Sequence, residues 1–261
     1  MSFFAKAGNR HSQCGQDGIL KEVFRRIGTT NQYCVEFGAW DGIHLSNTRA
    51  MIEAGWHGCL IEGDPGKYAI LEKMNAGVEG VTTVNGYVQI EGEHKLDSIL
   101  ERAGAPAELD FMSIDVDGID WHIWDSLKNY RPRVVCIETS LCIPFFIDFV
   151  QKPEVDGHPI SASPLAIYRL GRSKGYYPVA YCGHDWIFIR EDLFEPFGIE
   201  KQSYLELYRE GIEYVSHLPL PTDEGELDMK RYVEDRLSVI FEANAHHFDC
   251  VVNPAELTDL I

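Results

Sequence analysis

Tyr33-Cys34-Val35-Glu36-Phe37-Gly38-Ala39-Trp40-Asp41-Gly42 is the stretch on which the fold turns. Cys34, Val35 and Phe37 form an apolar run that reads as a buried strand, with an acid near its end and a sharp turn between two glycines. Glycine permits a turn, and a close backbone approach by a ligand, that a β-carbon would obstruct. A buried strand feeding a glycine-bearing turn is how open α/β sheets present backbone N–H groups to nucleotide-like ligands at their carboxyl edge. A second apolar run, Gly58-Cys59-Leu60-Ile61-Glu62-Gly63-Asp64, again ends in acid. Its distance from the first suits a second strand whose carboxylate accepts hydrogen bonds from ribose hydroxyls. Two acid-ended strands so spaced point to an adenosine-containing cofactor.

A dinucleotide site would show G-x-G-x-x-G, whereas this turn has no third glycine to seat a pyrophosphate, and Glu36 would repel one. A cationic cofactor fits better. S-adenosyl-L-methionine carries a sulfonium and an ammonium, so Glu36 would attract the ammonium and Glu62 would hold the ribose. Gly38, Ala39, Asp41 and Gly42 are the turn residues expected around it, and Asn85, after a third strand, is expected to meet the adenine.

Several separated segments resemble the FkbM-type methyltransferases, a class I branch of the S-adenosylmethionine-dependent Rossmann-like enzymes. They are Ser12 to Gly18 (SQCGQDG), Val35 to Thr48 (VEFGAWDGIHLSNT), Gly55 to Gly58 leading to Leu60-Ile61-Glu62, and Asp110 to Gly118 (DFMSIDVDG). Arg133 to Glu138 (RVVCIE), Leu170 to Tyr176 (LGRSKGY) and Trp186 to Asp192 continue the match, which spans about residues 12 to 192. Trp40 departs from the wider methyltransferase pattern, where a middle glycine is usual. The resemblance implies a mainly parallel sheet with an antiparallel last strand, and places Gln13, Ser46 and Asn47 along the methionine end of the cofactor. For Ser46-Asn47-Thr48, helix capping is an equally good reading.

At 261 residues and 45% hydrophobic, the chain can bury a full α/β core. Net charge is −18, from 41 acids against 23 bases. Nucleic-acid binding depends on Lys and Arg neutralising phosphates, so neither nucleic acid nor an anionic membrane is an expected partner. Arg10, Lys21, Arg25 and Arg26 read as a solvated helix face. The seven cysteines show no metal or disulfide spacing. Cys34, Cys59 and Cys136 fall in expected buried strands, which fits a reducing compartment. With no signal-peptide-like start and no long apolar run, a cytoplasmic protein is expected.

The order of elements predicts alternating βα units. A helix over 14–28 carries the stripe Ile19, Leu20, Val23, Phe24 and Ile27 and ends at Gly28. Strands follow at 33–38, 58–62, 81–87, 110–116 and 133–139, with helices near 45–55, from Pro65 to Met74, from Lys95 to Ala103 and from Pro164 to Lys174. Tyr176 to Ala180 and Trp186 to Arg190 read as an antiparallel pair. Such alternation argues for a Rossmann-like, mainly parallel sheet with helices on both faces. Residues 1–192 are expected to form the methyltransferase domain. Residues 193–261 are read as a helical extension packed on it, with an amphipathic helix from Met229 to Ala245, and as a candidate homo-oligomer contact.

Asp115-Val116-Asp117-Gly118-Ile119-Asp120 is the second constellation. Strand alternation would send Asp115 and Asp117 to one face, where two close carboxylates repel and invite a proton or a cation. With Glu138 they make a candidate Mg2+ site; a base or cofactor role for these acids, and helix capping, stand as alternatives. Transfer to a hydroxyl needs a base or a metal, and Asp117, His122 and His184 are the candidate bases. His246 and His247 read as structural. Trp40, Tyr87, Phe145, Phe146 and Tyr181 could stack on a sugar ring or pack in the core. The expected function is O-methylation of a small hydroxylated or glycosylated metabolite. A non-catalytic binding module on a degenerate methyltransferase fold is the alternative, and a dinucleotide oxidoreductase is the least favoured.

Overall fold

The computed structural model describes residues 3–141, 143–153, 160–215, 221–222 and 225–226. Helix α1 (Gln16–Ile27) starts two residues later than its stripe suggested and ends at Gly28, in a left-handed φ of 65°. Its apolar stripe is buried at Ile19, Leu20, Val23 and Phe24. Then come β1 (Tyr33–Phe37), α2 (Arg49–Glu53), β2 (His57–Glu62), α3 (Pro65–Asn75), β3 (Val81–Asn85) and α4 (Leu96–Arg102). The chain continues through β4 (Phe111–Ile114), α5 (Asp120–Ser126), β5 (Val134–Glu138), α6 (Pro164–Ser173), β6 (Tyr176–Cys182) and β7 (Asp185–Arg190). Two further helices, α7 (Phe194–Phe197) and α8 (Tyr204–Val215), and a short hairpin of β8 (Pro221–Thr222) and β9 (Gly225–Glu226), end the described residues.

The seven-stranded sheet has the order β3-β2-β1-β4-β5-β7-β6. Pairings among β1 to β5 are parallel, and β7 runs antiparallel to both β5 and β6. This is the Rossmann-like sheet expected, with its reversed strand inserted between β5 and β6.

Alternation along the strands divides the core in two. Val35, Cys59, Ile61, Met112, Val135 and Ile137 face the cluster built with α4, α5, α6 and α8. Cys34, Leu60, Phe111, Val134 and Cys136 face the cluster built with α1, α2, α3 and α7. Period-2 side chains on a sheet covered on both sides produce this division. The cysteines of the strands, Cys34, Cys59 and Cys136, are free and buried, as expected of small apolar residues. Tyr181 belongs to the first cluster, where it stacks on Tyr208 at 5.0 Å, and half-buried Phe145 packs against it, so the core reading holds for these two and not for Tyr87 and Phe146, which are exposed.

Two expectations shift. Strand β4 stops at Ile114, so Asp115 to Ile119 form a turn and not a strand end. Asp117 sits there with φ 56°. Helix α2 is shorter than the predicted 45–55, because Leu45 (φ 55°) and the turn through Ser46–Thr48 take up its first residues. Residues 229–245, His246 and His247 lie outside the described residues, as does most of the proposed extension; its described helices are α7, whose Phe194 and Phe197 bury on the second core cluster, and α8, whose Tyr204 and Leu207 bury on the first. No described helix is long and apolar enough to cross a membrane.

Candidate functional site

The parallel strands bring their carboxyl ends to one edge, where a cavity of about 780 Å³ opens. That volume lies in the range of ordinary small-molecule pockets. Eleven of the sequence-derived candidates line it: Gln13, Glu36, Gly38, Ala39, Ser46, Asn47, Glu62, Asp115, Asp117, Glu138 and His184.

Glu36, two residues after Cys34, shares its face and therefore points to the α2 side of the sheet. There its carboxylate accepts from the Ser46 hydroxyl (2.6 Å), the Thr48 hydroxyl (2.6 Å) and the Asn47 N–H (2.8 Å). Burial pushes its pKa up, against the pull of these three donors. A carboxylate has about four acceptor positions, so one remains on Glu36 for a ligand. Asn47 donates to the Ser113 hydroxyl at 3.1 Å, and its own Oδ1 is buried with no partner among the described residues. A buried orphan acceptor is costly, and such an atom beside a carboxylate with one open position suits a ligand cation that donates several N–H bonds. Ser46 also has the capping contact expected of it: its oxygen accepts from the Arg49 N–H (3.0 Å) at the head of α2.

Glu62 ends β2 in the cavity. One oxygen accepts from the Trp40 N–H (2.8 Å) and the other from the Asp64 N–H (2.8 Å). Two acceptor positions stay open, one per oxygen, the arrangement a ribose diol would use. Gln13 lies on the loop before α1. Asp17 holds that loop by accepting from the N–H groups of Arg10, His11 and Ser12 at 2.7–2.9 Å, and Gln16 holds it by accepting from Cys14 N–H at 2.6 Å. Ser12 to Gly18 is thus a folded loop that puts Gln13 on the cavity wall and runs into the first turn of α1.

Four candidates are not among the lining residues. Asp41 closes its own turn by accepting from Ile43 and His44 N–H (2.8 Å each). Gly42, with φ 72°, packs where a β-carbon would meet Leu71 and Asn75 on α3. Asn85 donates to the Glu62 carbonyl at 2.9 Å and ties β3 to the turn after β2; Gly86, Tyr87, Val88 and Gln89 line the cavity in its place. His122, on α5, meets the Gln151 carbonyl at 2.8 Å and packs on Trp121. A helix that starts at Asp120 turns this ring away from the strand edge.

Beyond β4 the acids gather. Asp115, Asp117 and Glu138 each offer an oxygen, and these oxygens lie within 4.8 Å of one another. They meet because the turn after Ile114 folds back, not because of strand alternation. Asp120 builds that turn: fully buried, it accepts from Val116 N–H (2.7 Å) and Gly118 N–H (2.9 Å), while burial pushes its pKa up to about 6. Burial, then Glu138 and the neighbouring aspartates, raise Asp115 well above the usual carboxylate range. Burial and Asp120 push Glu138 up to about 8, against His184 and a 2.6 Å bond from the Ser161 hydroxyl. Carboxylates held this close favour a shared proton or a bound cation. Oxygen ligands alone suit a hard ion such as Mg2+, so the donor set fits the expected metal.

His184 stands in the β6–β7 turn. Burial opposes its charged form, but Asp185 at 3.7 Å, Cys14 at 3.9 Å and Glu138 outweigh that and raise its pKa well above the usual value. These neighbours favour the charged form of the ring over the neutral one. Residues that sequence reasoning passed over also line the cavity: Lys67, Asp64, His44 and Gln89. Lys67 was concealed in a helix start, and only the paired acid of Asp64-Pro65 signalled that the helix begins at the cavity.

No protein-family model matches the chain, and no curated protein matches it. Among solved structures, the chain is similar to the N-terminal domain of EvdMO1 with SAH bound, at 11% identity and TM-score 0.44, over 67% of this chain and 80% of that one. It is similar to a putative O-methyltransferase from Klebsiella pneumoniae at 14% identity and TM-score 0.43, over 71% and 84%. A putative caffeoyl-CoA O-methyltransferase from Staphylococcus aureus shows 16% identity and TM-score 0.45, over 66% and 81%.

Proposed function

We propose that the chain is an S-adenosylmethionine-dependent methyltransferase of the FkbM type that methylates a hydroxyl of a small hydroxylated or glycosylated metabolite. One observation carries the reading: Glu36, Asn47 and Glu62 line one cavity at the carboxyl edge of β1 and β2, and the Glu36 and Glu62 carboxylates keep open acceptor positions there. The amino group of the methionine part would donate to Glu36 and Asn47, and the ribose hydroxyls to Glu62. The reading is supported by an Asn47 oxygen that has no partner among the described residues. When bound, S-adenosylmethionine supplies an electrophilic methyl on a sulfonium.

The chain's own contribution is mainly positioning, which is worth up to about 7–11 kcal/mol in reactions of this kind. The acceptor would lie on the β4–β5 side, against Asp115, Asp117 and Glu138. Asp117, the most exposed of the three, would take the hydroxyl proton; general-base help of this sort is worth about 10²–10⁴-fold. A Mg2+ held by the same acids would lower the pKa of that hydroxyl and orient it. His184, protonated, would balance the charge of this group.

Calorimetry with S-adenosylhomocysteine, followed by its release from S-adenosylmethionine on supply of sugar and polyol acceptors, tests the reading. Saturable binding and acceptor-dependent product support it. No heat at millimolar ligand ends it, and binding without turnover across acceptors favours a non-catalytic module.

A further inference from the structure

Trp40 holds a backbone conformation that its side chain disfavours. Its φ is 46°, between Gly38 at 76° and Gly42 at 72°. A bulky residue in the left-handed region is an outlier, and such strain persists where the surroundings fix it. Core packing does not account for it, because Trp40 belongs to neither core cluster of the described residues. Its ring contacts are instead with residues of the cavity wall. The Lys67 ammonium lies over the indole at 4.9 Å, and His44 meets the ring edge-on at 5.2 Å.

Glu62 organises both halves of this contact. One oxygen takes the Trp40 N–H, and the other takes the Asp64 N–H. Asp64 in turn caps α3 by accepting from the Lys67 N–H at 2.8 Å. A single carboxylate therefore sets the turn that carries the indole and the helix start that carries the ammonium. Lys67 is the only Lys or Arg among the described residues that line the cavity.

We infer that Trp40 and Lys67 form a clasp across the Glu62 side of the cavity, which closes on the ribose edge of an adenosine-containing ligand and determines its affinity. The inference rests on the proposed cofactor, and it assigns to Trp40 a place where the wider pattern has glycine. An aromatic wall excludes water from the ribose–carboxylate bonds and strengthens them. The ammonium keeps the indole in place through its ring face.

The test is titration calorimetry of S-adenosylhomocysteine on the full chain and on Trp40→Gly, Trp40→Phe and Lys67→Met, with thermal melts of each. Trp40→Gly is expected to weaken binding about tenfold, Lys67→Met about threefold, and Trp40→Phe less than about threefold. Trp40→Gly should melt no earlier than the parent, since glycine relaxes the turn. Ligand-dependent tryptophan fluorescence should be present in the parent and absent in Trp40→Phe. Equal affinity of Trp40→Gly and the parent overturns the clasp, as does a loss in Trp40→Phe as large as in Trp40→Gly. A parent that fails to bind the ligand overturns the cofactor reading itself.

Discussion

Gly38 runs directly against the backbone of Asp115: a β-carbon at position 38 would overlap the Asp115 carbonyl oxygen. The turn after β1 and the turn after β4 are therefore in backbone contact, and the glycine serves this contact as well as any ligand. Its φ of 76° adds a second reason for glycine. Gly38→Ala is expected to cost more than about 3 kcal/mol, through overlap and left-handed strain together. A circular-dichroism melt measures it, and a variant that melts with the parent would show that the two turns separate freely.

Asp110 and Arg133 make a buried ion pair at the opposite rim, with N–O 2.6 Å. Asp110 also accepts from the N–H groups of Thr30, Asn31 and Gln32. Burial works against its ionised form, yet Arg133 and these amides hold it below the usual range. Asp110→Asn leaves Arg133 buried beside a neutral partner, which is expected to cost about 3–5 kcal/mol in urea unfolding. Affinity for S-adenosylhomocysteine in the folded protein should be unchanged, because the pair stands at the amino end of β4.

Glu62→Gln keeps one acceptor for the surrounding amides and removes the charge. It is expected to weaken S-adenosylhomocysteine binding about tenfold by calorimetry, the size of a lost charge-assisted bond. Asn47→Leu should have an effect of similar size on binding and lower the melting temperature, since it removes the buried bond to the Ser113 hydroxyl along with the orphan Oδ1. If Asn47→Leu binds as tightly as the parent, the ammonium site is elsewhere.

A divalent ion on Asp115, Asp117 and Glu138 should raise the melting temperature, because it binds the folded chain alone. Asp117→Asn is expected to remove the shift. Asp117 is the most exposed of the three, so the variant itself should fold. A Mg2+ titration that moves neither protein would take the metal out of the proposed mechanism.

Glu22 is held at about 2 by hydrogen bonds from Arg25 and Arg26, against the opposing effect of burial. Its pKa is depressed on folding, so its contribution is complete above the ordinary glutamate range and is lost as pH falls from about 4.5 toward 2. Glu22→Gln should therefore destabilise the protein at neutral pH and flatten the acid limb of a stability–pH curve over that window. Parallel curves for the two proteins would mean that the helical triad contributes nothing.

Strand-borne features were legible in the sequence because they obey a period. Cys34, Val35 and Phe37 announce β1, and the acid that ends it does line the cavity. Turn-borne features were harder. Asp115 and Asp117 do come together, but through a turn that Asp120 clamps with two backbone bonds, and no strand or helix period encodes such a bond. Asn85 carries the right chemistry for a base edge, yet its amide is spent on the Glu62 carbonyl. The part Gln16 and Asp17 play in the loop before α1 was not legible, because the groups they accept from are backbone N–H groups, which a sequence does not display. His184 was found by its place between two strands, while its protonation state depends on Asp185, Cys14 and Glu138, which only the fold assembles.

The reversed direction of β7 has one more effect. Cys182 pairs with Asp185, so only Gly183 and His184 connect β6 to β7, with Gly183 at φ 75°. A link of two residues anchored in a ladder on either side has almost no slack, unlike the longer crossovers that follow parallel strands. The imidazole is thus preorganised at the rim, and the chain spends no ordering entropy to bring it there when a ligand arrives.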